Sequence, residues 1–215
     1  MNLIRPYYKI EFITPNALQL IEMAGRVCYK SEDKITSTSA EKFVAMVIKH
    51  GHHSVIEHAS MTVRFICDRG VTHEIVRHRL FAFSQESTRY CNYKGGLTFV
   101  IPPWIPEIIP GAFVLTDVEM LRKNRAGDRW FRAMIEAEES YFSLLDHGWT
   151  PQQARTVLPN SLKTEIVCTA NFREWRHVFE LRCSSAAHPQ MQEIMRPLLV
   201  EVKERIPIIF SDIEY

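Results

Sequence analysis

Long apolar runs, paired CxxC cysteines, glycine-rich phosphate loops and an excess of either charge are all missing from this chain. Without roughly 20 consecutive apolar residues there is no candidate membrane span and no membrane partner is expected. The five cysteines, Cys28, Cys67, Cys91, Cys168 and Cys183, are odd in number and scattered, which argues against a disulfide scaffold and for a reducing, cytoplasmic compartment. The opening Met-Asn-Leu-Ile-Arg-Pro carries no signal-peptide apolar region. With only 8 glycines in 215 residues, neither GxGxxG after a strand nor GxxxxGK(S/T) occurs, so the Rossmann and P-loop routes to phosphate are closed. A balance of 26 Lys+Arg against 25 Asp+Glu excludes a general polyanion binder, and no nucleic-acid partner is expected. Any anionic ligand has to be met locally.

What is present is a soluble composition, 46% hydrophobic and 24% charged, in a chain long enough to hide roughly 70% of its unfolded surface. Residues 6–14 alternate and are rich in β-branched and aromatic types, which reads as a strand, and Asn16 opens an amphipathic helix over 16–29. Ser39 with Glu41 and a Gly51 stop frames a second helix with Phe43, Met46 and Val47 inward. Residues 59–68 read as a strand, and 70–78 as a helix with Glu74, Arg77 and His78 on one face. A loop with four prolines covers 93–112, and a charged helix runs from about Asp117 to His147, with Gly127 as a bend or cap. Pro151 at a helix start, a strand near 163–170, a helix over 172–183 and a last helix from Pro189 to about Glu204 complete the chain. The expected fold is α/β of the α+β type, one domain over 1–215 with a mixed sheet flanked by helices.

Arginine supplies 17 of the 26 basic residues, and between His50 and Tyr93 there are five arginines and no lysine. A guanidinium offers a planar fork for phosphate or carbonyl oxygens and keeps its charge, whereas lysine is a mobile point charge. The stretch 77–90, RHRLFAFSQESTRY, is too polar for a core element, and Gln85, Ser87 and Arg89 share a face if it is extended. Three other readings compete. A nucleic-acid module would use the arginines but needs a basic excess. A histidine metal site could draw on His50, His52, His53 and His58, yet no Cys or Asp accompanies them at ligand spacing, and His73 and His78 are five apart where HExxH needs four. Cys183 beside Arg182 has the setting of an activated nucleophile.

RHR, seven residues, then Ser87 and Arg89-Tyr90 resemble the signature of the flavin-dependent thymidylate synthases. The likeness extends to His50-Gly51-His52 through Glu57-His58, to Ala154-Arg155 through Leu158-Pro159, and to Asn171-Phe172-Arg173 through Leu181-Arg182. Ala82 stands where many relatives carry Ser, Gln85 where many carry Glu, and the segment 183–188 is longer than in some.

The resemblance implies reductive methylation of dUMP to dTMP, with 5,10-methylenetetrahydrofolate as carbon donor, FAD as hydride source and NADPH as its reductant. It implies no metal and no cysteine attack on the pyrimidine. By the same likeness Ser54, Arg77, His78, Arg79, Gln85, Asn171, Arg173 and His177 lie near FAD, and His52 on the flavin side. Glu74, Arg77, Gln85, Glu86, Ser87, Arg89, Arg155 and Arg182 surround dUMP, and Arg182 is the catalytic cation. The implied assembly is a homotetramer whose sites are shared between subunits.

Overall fold

Alternation after Pro6 and the capping residues Asp68 and Asn171 set the architecture. The computed structural model describes residues 1–91, 93, 95–113 and 125–215. In chain order the elements are β1 (Asn2–Ile4), β2 (Tyr7–Ile13), α1 (Ala17–Val27), α2 (Ser39–Lys49), β3 (Ser60–Asp68), α3 (Arg69–Ile75), β4 (Ala82–Gln85), β5 (Thr98–Val100), β6 (Gly111–Ala112), α4 (Arg125–Asp146), α5 (Pro151–Ala154), β7 (Lys163–Asn171), α6 (Phe172–Arg182), α7 (Pro189–Arg205) and α8 (Pro207–Phe210). Short 3-10 turns occupy Glu32–Lys34, His53–His58 and Arg155–Val157. Strands β5, β1 and β6 form one sheet and β2, β3, β7 and β4 a second, each in that order. In the first sheet β1 runs parallel to β5, with Leu3 opposite Phe99, and antiparallel to β6, with Leu3 opposite Gly111. Among the described residues no helix is long and apolar enough to cross a membrane.

Two compact units are interleaved along the chain. Met1–Tyr7, Phe65–Arg77 and Ser84–Ile166 make the first; Tyr8–Arg64, His78–Phe83 and Val167–Tyr215 make the second. In the first, Phe131, Met134, Ile135 and Tyr141 recur at helical spacing on α4 and pack with Leu3, Leu97, Phe99 and Leu162. In the second, Trp175 stacks on Phe179 with ring centroids 5.6 Å apart, and Phe210 meets both Phe179 and Phe172 edge-on. Gly25 marks the closest approach to α2, since a Cβ there would stand 2.6 Å from the Phe43 ring.

Several expectations are revised by the structure. The loop over 93–112 contains β5 and β6, and Gly127 lies buried inside α4. The expected start of that helix, 117–124, falls outside the described residues. On α2 the inward face is Ala40, Val44 and Val47, while Met46 is 41% exposed. Ser39 is the first helical residue, with Thr38 at the N-cap, and its hydroxyl donates to Glu22 Oε2 at 2.8 Å.

Candidate functional site

The second unit holds the residues around His78. Strand β7 ends at Asn171, whose Oδ1 accepts from Glu174 N at 2.9 Å and so caps α6. One face of α6 is buried, including Glu174, Trp175 and Arg176, so charged groups are carried into the interior. His78 is 7% exposed; Arg182 Nε donates to its Nε2 at 2.9 Å. Its Nδ1 faces Glu174 Oε1 at 3.8 Å, and the His177 ring lies edge-on with centroids 6.1 Å apart. An Nε2 that accepts carries no proton, so the imidazole is neutral with its hydrogen on Nδ1. Burial, then the Arg182 cation, then His177 push the His78 pKa down to about 4. Burial likewise raises the Glu174 carboxyl, against a smaller opposing pull from His177. Phe81 backs this group, meeting His78 at 6.2 Å and Trp175 at 4.8 Å. Arg79 is exposed.

Nearer the start of α6, Arg173 Nη1 donates to Glu57 Oε1 at 2.7 Å, on the same 3-10 turn as Ser54. Ser54 lines a cavity of about 490 Å³ whose apolar walls are Gly25, Phe43, Met46, Val47 and Val55 and whose polar lining includes His50 and His52. Among the described residues no group of three or more His, Cys, Asp or Glu is placed to hold a metal ion. Cys183 is fully buried, and burial raises its thiol pKa to about 12, which leaves it protonated and unsuited to nucleophilic attack.

The first unit holds the rest of the motif. Asp68 Oδ1 accepts from Val71 N at 2.9 Å and caps α3, which ends at Ile75. The expected helix over 70–78 therefore stops early, and the expected common face is lost: Glu74 is half-buried on α3, Arg77 is exposed beyond it and His78 is buried. Gln85 Nε2 donates to Thr72 Oγ1 at 3.0 Å and to Thr164 Oγ1 at 3.3 Å. Thr72 has its own proton committed to Arg69 O at 3.0 Å, so it must accept, and an amide donor is required at position 85.

The extended segment ends at Gln85, and the chain turns back at once. Tyr90 N and Cys91 N both donate to Ser87 O, at 3.2 and 3.0 Å, so Gln85, Ser87 and Arg89 do not share an extended face. Ser87 Oγ accepts from Arg89 N at 3.3 Å, and the Arg89 guanidinium lies 5.3 Å from the Tyr90 ring centroid. Arg155 Nη1 donates to the buried Thr88 hydroxyl at 3.2 Å. Glu86 accepts from Tyr93 OH and from Lys163 Nζ, each at 3.0 Å, and Lys163 also reaches Glu165 at 2.6 Å. Burial works against the Lys163 charge, but the hydrogen bonds to Glu165 and Glu86 outweigh it and hold the ammonium above its usual pKa. Burial and the Glu86 charge together raise the Tyr93 phenol, which stays protonated and donates.

The structure thus groups His78, His177 and Arg182 in one unit, and Glu86, Ser87, Arg89 and Arg155 on the turn and its supports in the other. Lys163, Thr72, Thr164, Tyr93 and Glu174 were not singled out from sequence. The alternation of β7, with Thr164, Ile166, Cys168 and Ala170 buried in turn, leaves Lys163 and Glu165 on the opposite face, and that period was the available signal.

Comparison with known proteins places the chain among relatives. The family model described as thymidylate synthase complementing protein matches residues 10–208. A flavin-dependent thymidylate synthase of Geobacter sulfurreducens is 32% identical over 206 residues, covering 93% of this chain and 83% of the relative. The one from Mycobacterium tuberculosis is 34% identical over 200 residues, covering 91% and 79%. Among solved structures, thymidylate synthase X from Helicobacter pylori with FAD and dUMP aligns with a TM-score of 0.75 at 22% identity, covering 96% of this chain and 98% of that one. A UMP/dUMP methylase from Streptomyces cacaoi bound with 5-Br dUMP aligns with a TM-score of 0.76 at 23% identity, covering 98% and 96%.

Proposed function

The chain belongs to the thymidylate synthase complementing protein family, with flavin-dependent thymidylate synthases among its relatives, and from that membership we propose that it methylates dUMP to dTMP. The carbon comes from 5,10-methylenetetrahydrofolate, and bound FAD, reduced by NADPH, supplies the hydride. Residues 1–215 act as one functional domain, since the family match runs through both units.

The observation that carries the reading is the contact between Arg182 and His78. A neutral imidazole orients the guanidinium at Nε and brings no charge of its own to that contact. Next to uracil N3 and its neighbouring carbonyl oxygen, that cation favours the ionised ring and raises electron density at C5, the carbon that gains the new bond. Glu74, Arg77, Glu86, Ser87, Arg89 and Arg155 are assigned to dUMP, with Ser87 and Arg89 toward its phosphate.

The cavity beside Ser54 fits a flavin ring: it is apolar-walled, edged by hydroxyl and imidazole groups, and falls in the usual range of roughly 300–1,000 Å³ for ligand pockets. Ser54, Arg77, His78, Arg79, Asn171, Arg173 and His177 are assigned to FAD. Gln85, which the resemblance assigns to both ligands, has its amide engaged by Thr72 and Thr164. A pocket of this size takes part of a dinucleotide, and, as the family resemblance implies, neighbouring copies complete each site in a homotetramer.

Tritium placed at C5 of dUMP tests the assignment. Release into water that requires FAD, NADPH and methylenetetrahydrofolate is expected, and Arg182→Ala should keep the flavin's visible spectrum while losing at least about 10²-fold in kcat. Protein that never takes up FAD, or an Arg182→Ala variant as active as the parent, would overturn it.

A further inference from the structure

We propose that His78 is the positioning residue for Arg182, its unprotonated Nε2 fixing the direction of the guanidinium by accepting the Nε hydrogen. The inference rests on the reading of Arg182 given above and adds a role for the central residue of the RHR segment. Because Cδ, Nε and Cζ of an arginine are coplanar with its terminal nitrogens, anchoring Nε sets the plane of the whole cation. The 2.9 Å bond does so from a ring that is itself buried. His78 is 7% exposed, set against Phe81 and His177, and Phe81 rests on Trp175, whose Nε1 donates to Met61 O at 2.9 Å. The chain of contacts therefore runs from a strand backbone to the last residue of α6.

The imidazole has the chemistry this task needs. It accepts the Nε hydrogen without adding a charge to the contact, whereas a second cation would repel Arg182. A hydroxyl is too short to span from the same backbone position. Neutral imidazole accepts at Nε2 and turns its Nδ1 hydrogen toward Glu174, the carboxylate 3.8 Å away. Around the ring, the titratable groups from α6 are Arg182, His177 and Glu174; the first two disfavour a charge on His78, and Glu174, on the Nδ1 side, fits a tautomer with its hydrogen on Nδ1.

The test is a double-mutant cycle on the FAD-loaded oligomer, read by C5 tritium release, with imidazole ¹⁵N NMR as a second readout. His78→Leu should lose about 10²-fold in kcat with the KM for dUMP changed less than about 3-fold, because the interaction matters most as charge develops. His78→Gln, whose amide oxygen can accept near the Nε2 position, should recover at least about 10-fold of that loss. In the Arg182→Ala background, with rates normalised to flavin bound as read from the visible spectrum so that any loss of the His78 contact to FAD is removed, His78→Leu should cost less than about 2-fold, since a residue acting through another has nothing left to position.

In the parent protein, ¹⁵N shifts should report the Nδ1–H neutral form of His78 from neutral pH to mild acid, with the Nε2 signal moving in Arg182→Ala. Multiplicative losses in the double variant, equal rates for the Leu and Gln variants, or an imidazolium signal would overturn the proposal. Should His78→Leu fail to fold, the Gln variant and the NMR signature decide. A parent that releases no tritium would sink the synthase reading instead, while the tautomer and its response to Arg182→Ala still report on the contact.

Discussion

The junctions β3–α3 and β7–α6 are made the same way and lead to opposite chemistry. Asp68 and Asn171 adopt nearly the same backbone angles, φ −79°, ψ 165° and φ −73°, ψ 166°. Each takes the backbone N–H three residues on at 2.9 Å. Beyond the cap they diverge. Helix α3 is tied by an uncharged ladder, Arg69 O to Thr72 to Gln85 to Thr164. Helix α6 is tied by charge: Arg176, 5% exposed, forks Asp212 at 2.6 and 2.7 Å and also donates to Ile209 O. The same local device starts a helix, and the groups that meet its flank decide whether it sits in a neutral or an ionic setting.

Removing the ionic tie should produce the largest effect. Asp212→Ala leaves the Arg176 cation buried without its fork, and a broken buried pair costs about 3–5 kcal/mol. Half of the Asp212 side chain faces solvent, so water offsets part of this, and a loss of about 2–3 kcal/mol is expected in urea unfolding. A loss under about 0.5 kcal/mol would mean that α6 is held by its apolar face alone. The uncharged ladder should give less. Gln85→Glu, which installs the residue many relatives carry, replaces the amide donor with an acceptor facing two threonine oxygens, one of whose protons is already committed. About 1–2 kcal/mol should be lost, read as the same unfolding midpoint shift. An equally stable Gln85→Glu chain would show that Thr72 can turn its hydroxyl and that the ladder does not set α3.

Both strand-to-helix junctions were legible beforehand from the change of period, although neither Asp68 nor Asn171 was singled out as a cap. The arginine-rich segment was legible too, since no core element tolerates RHRLFAFSQESTRY. The depth of its residues was not. Burial of His78 depends on Phe81, Trp175 and α6, which lie up to about a hundred residues away in sequence, and periodicity within one helix says nothing about them. The turn after Gln85 was missed for a related reason. An extended run and a run that folds back on Ser87 O have the same local composition, and the Lys163–Glu86 and Arg155–Thr88 contacts tie that turn to residues far along the chain. On α2 the expected face of Phe43, Met46 and Val47 shares only Val47 with the buried set Ala40, Val44 and Val47, and it moved Met46, an exposed cavity residue, into the predicted core.

The mildest prediction separates the two settings by pH. His78 titrates near 6.5 when unfolded and at about 4 in the folded chain, so between these values the unfolded state binds more protons. Its contribution is fully present above pH 6.5 and is lost progressively as the pH falls toward 4. Glu174 acts with the opposite sign, since burial raises its carboxyl and the folded state then takes up protons more readily as acid is added. Asp212, held below the ordinary carboxylate range by its hydrogen bond from Arg176, gives way only at lower pH. The ladder on α3 contains only amide and hydroxyl side chains and contributes no slope. Comparing Tm at pH 7.5, 6.0 and 5.0 in the parent and in His78→Gln removes one contributor and leaves the others in place. The parent should lose about 2–5 °C more than the variant over that range, and parallel curves would mean that His78 takes up its proton in the folded chain as easily as in the unfolded one.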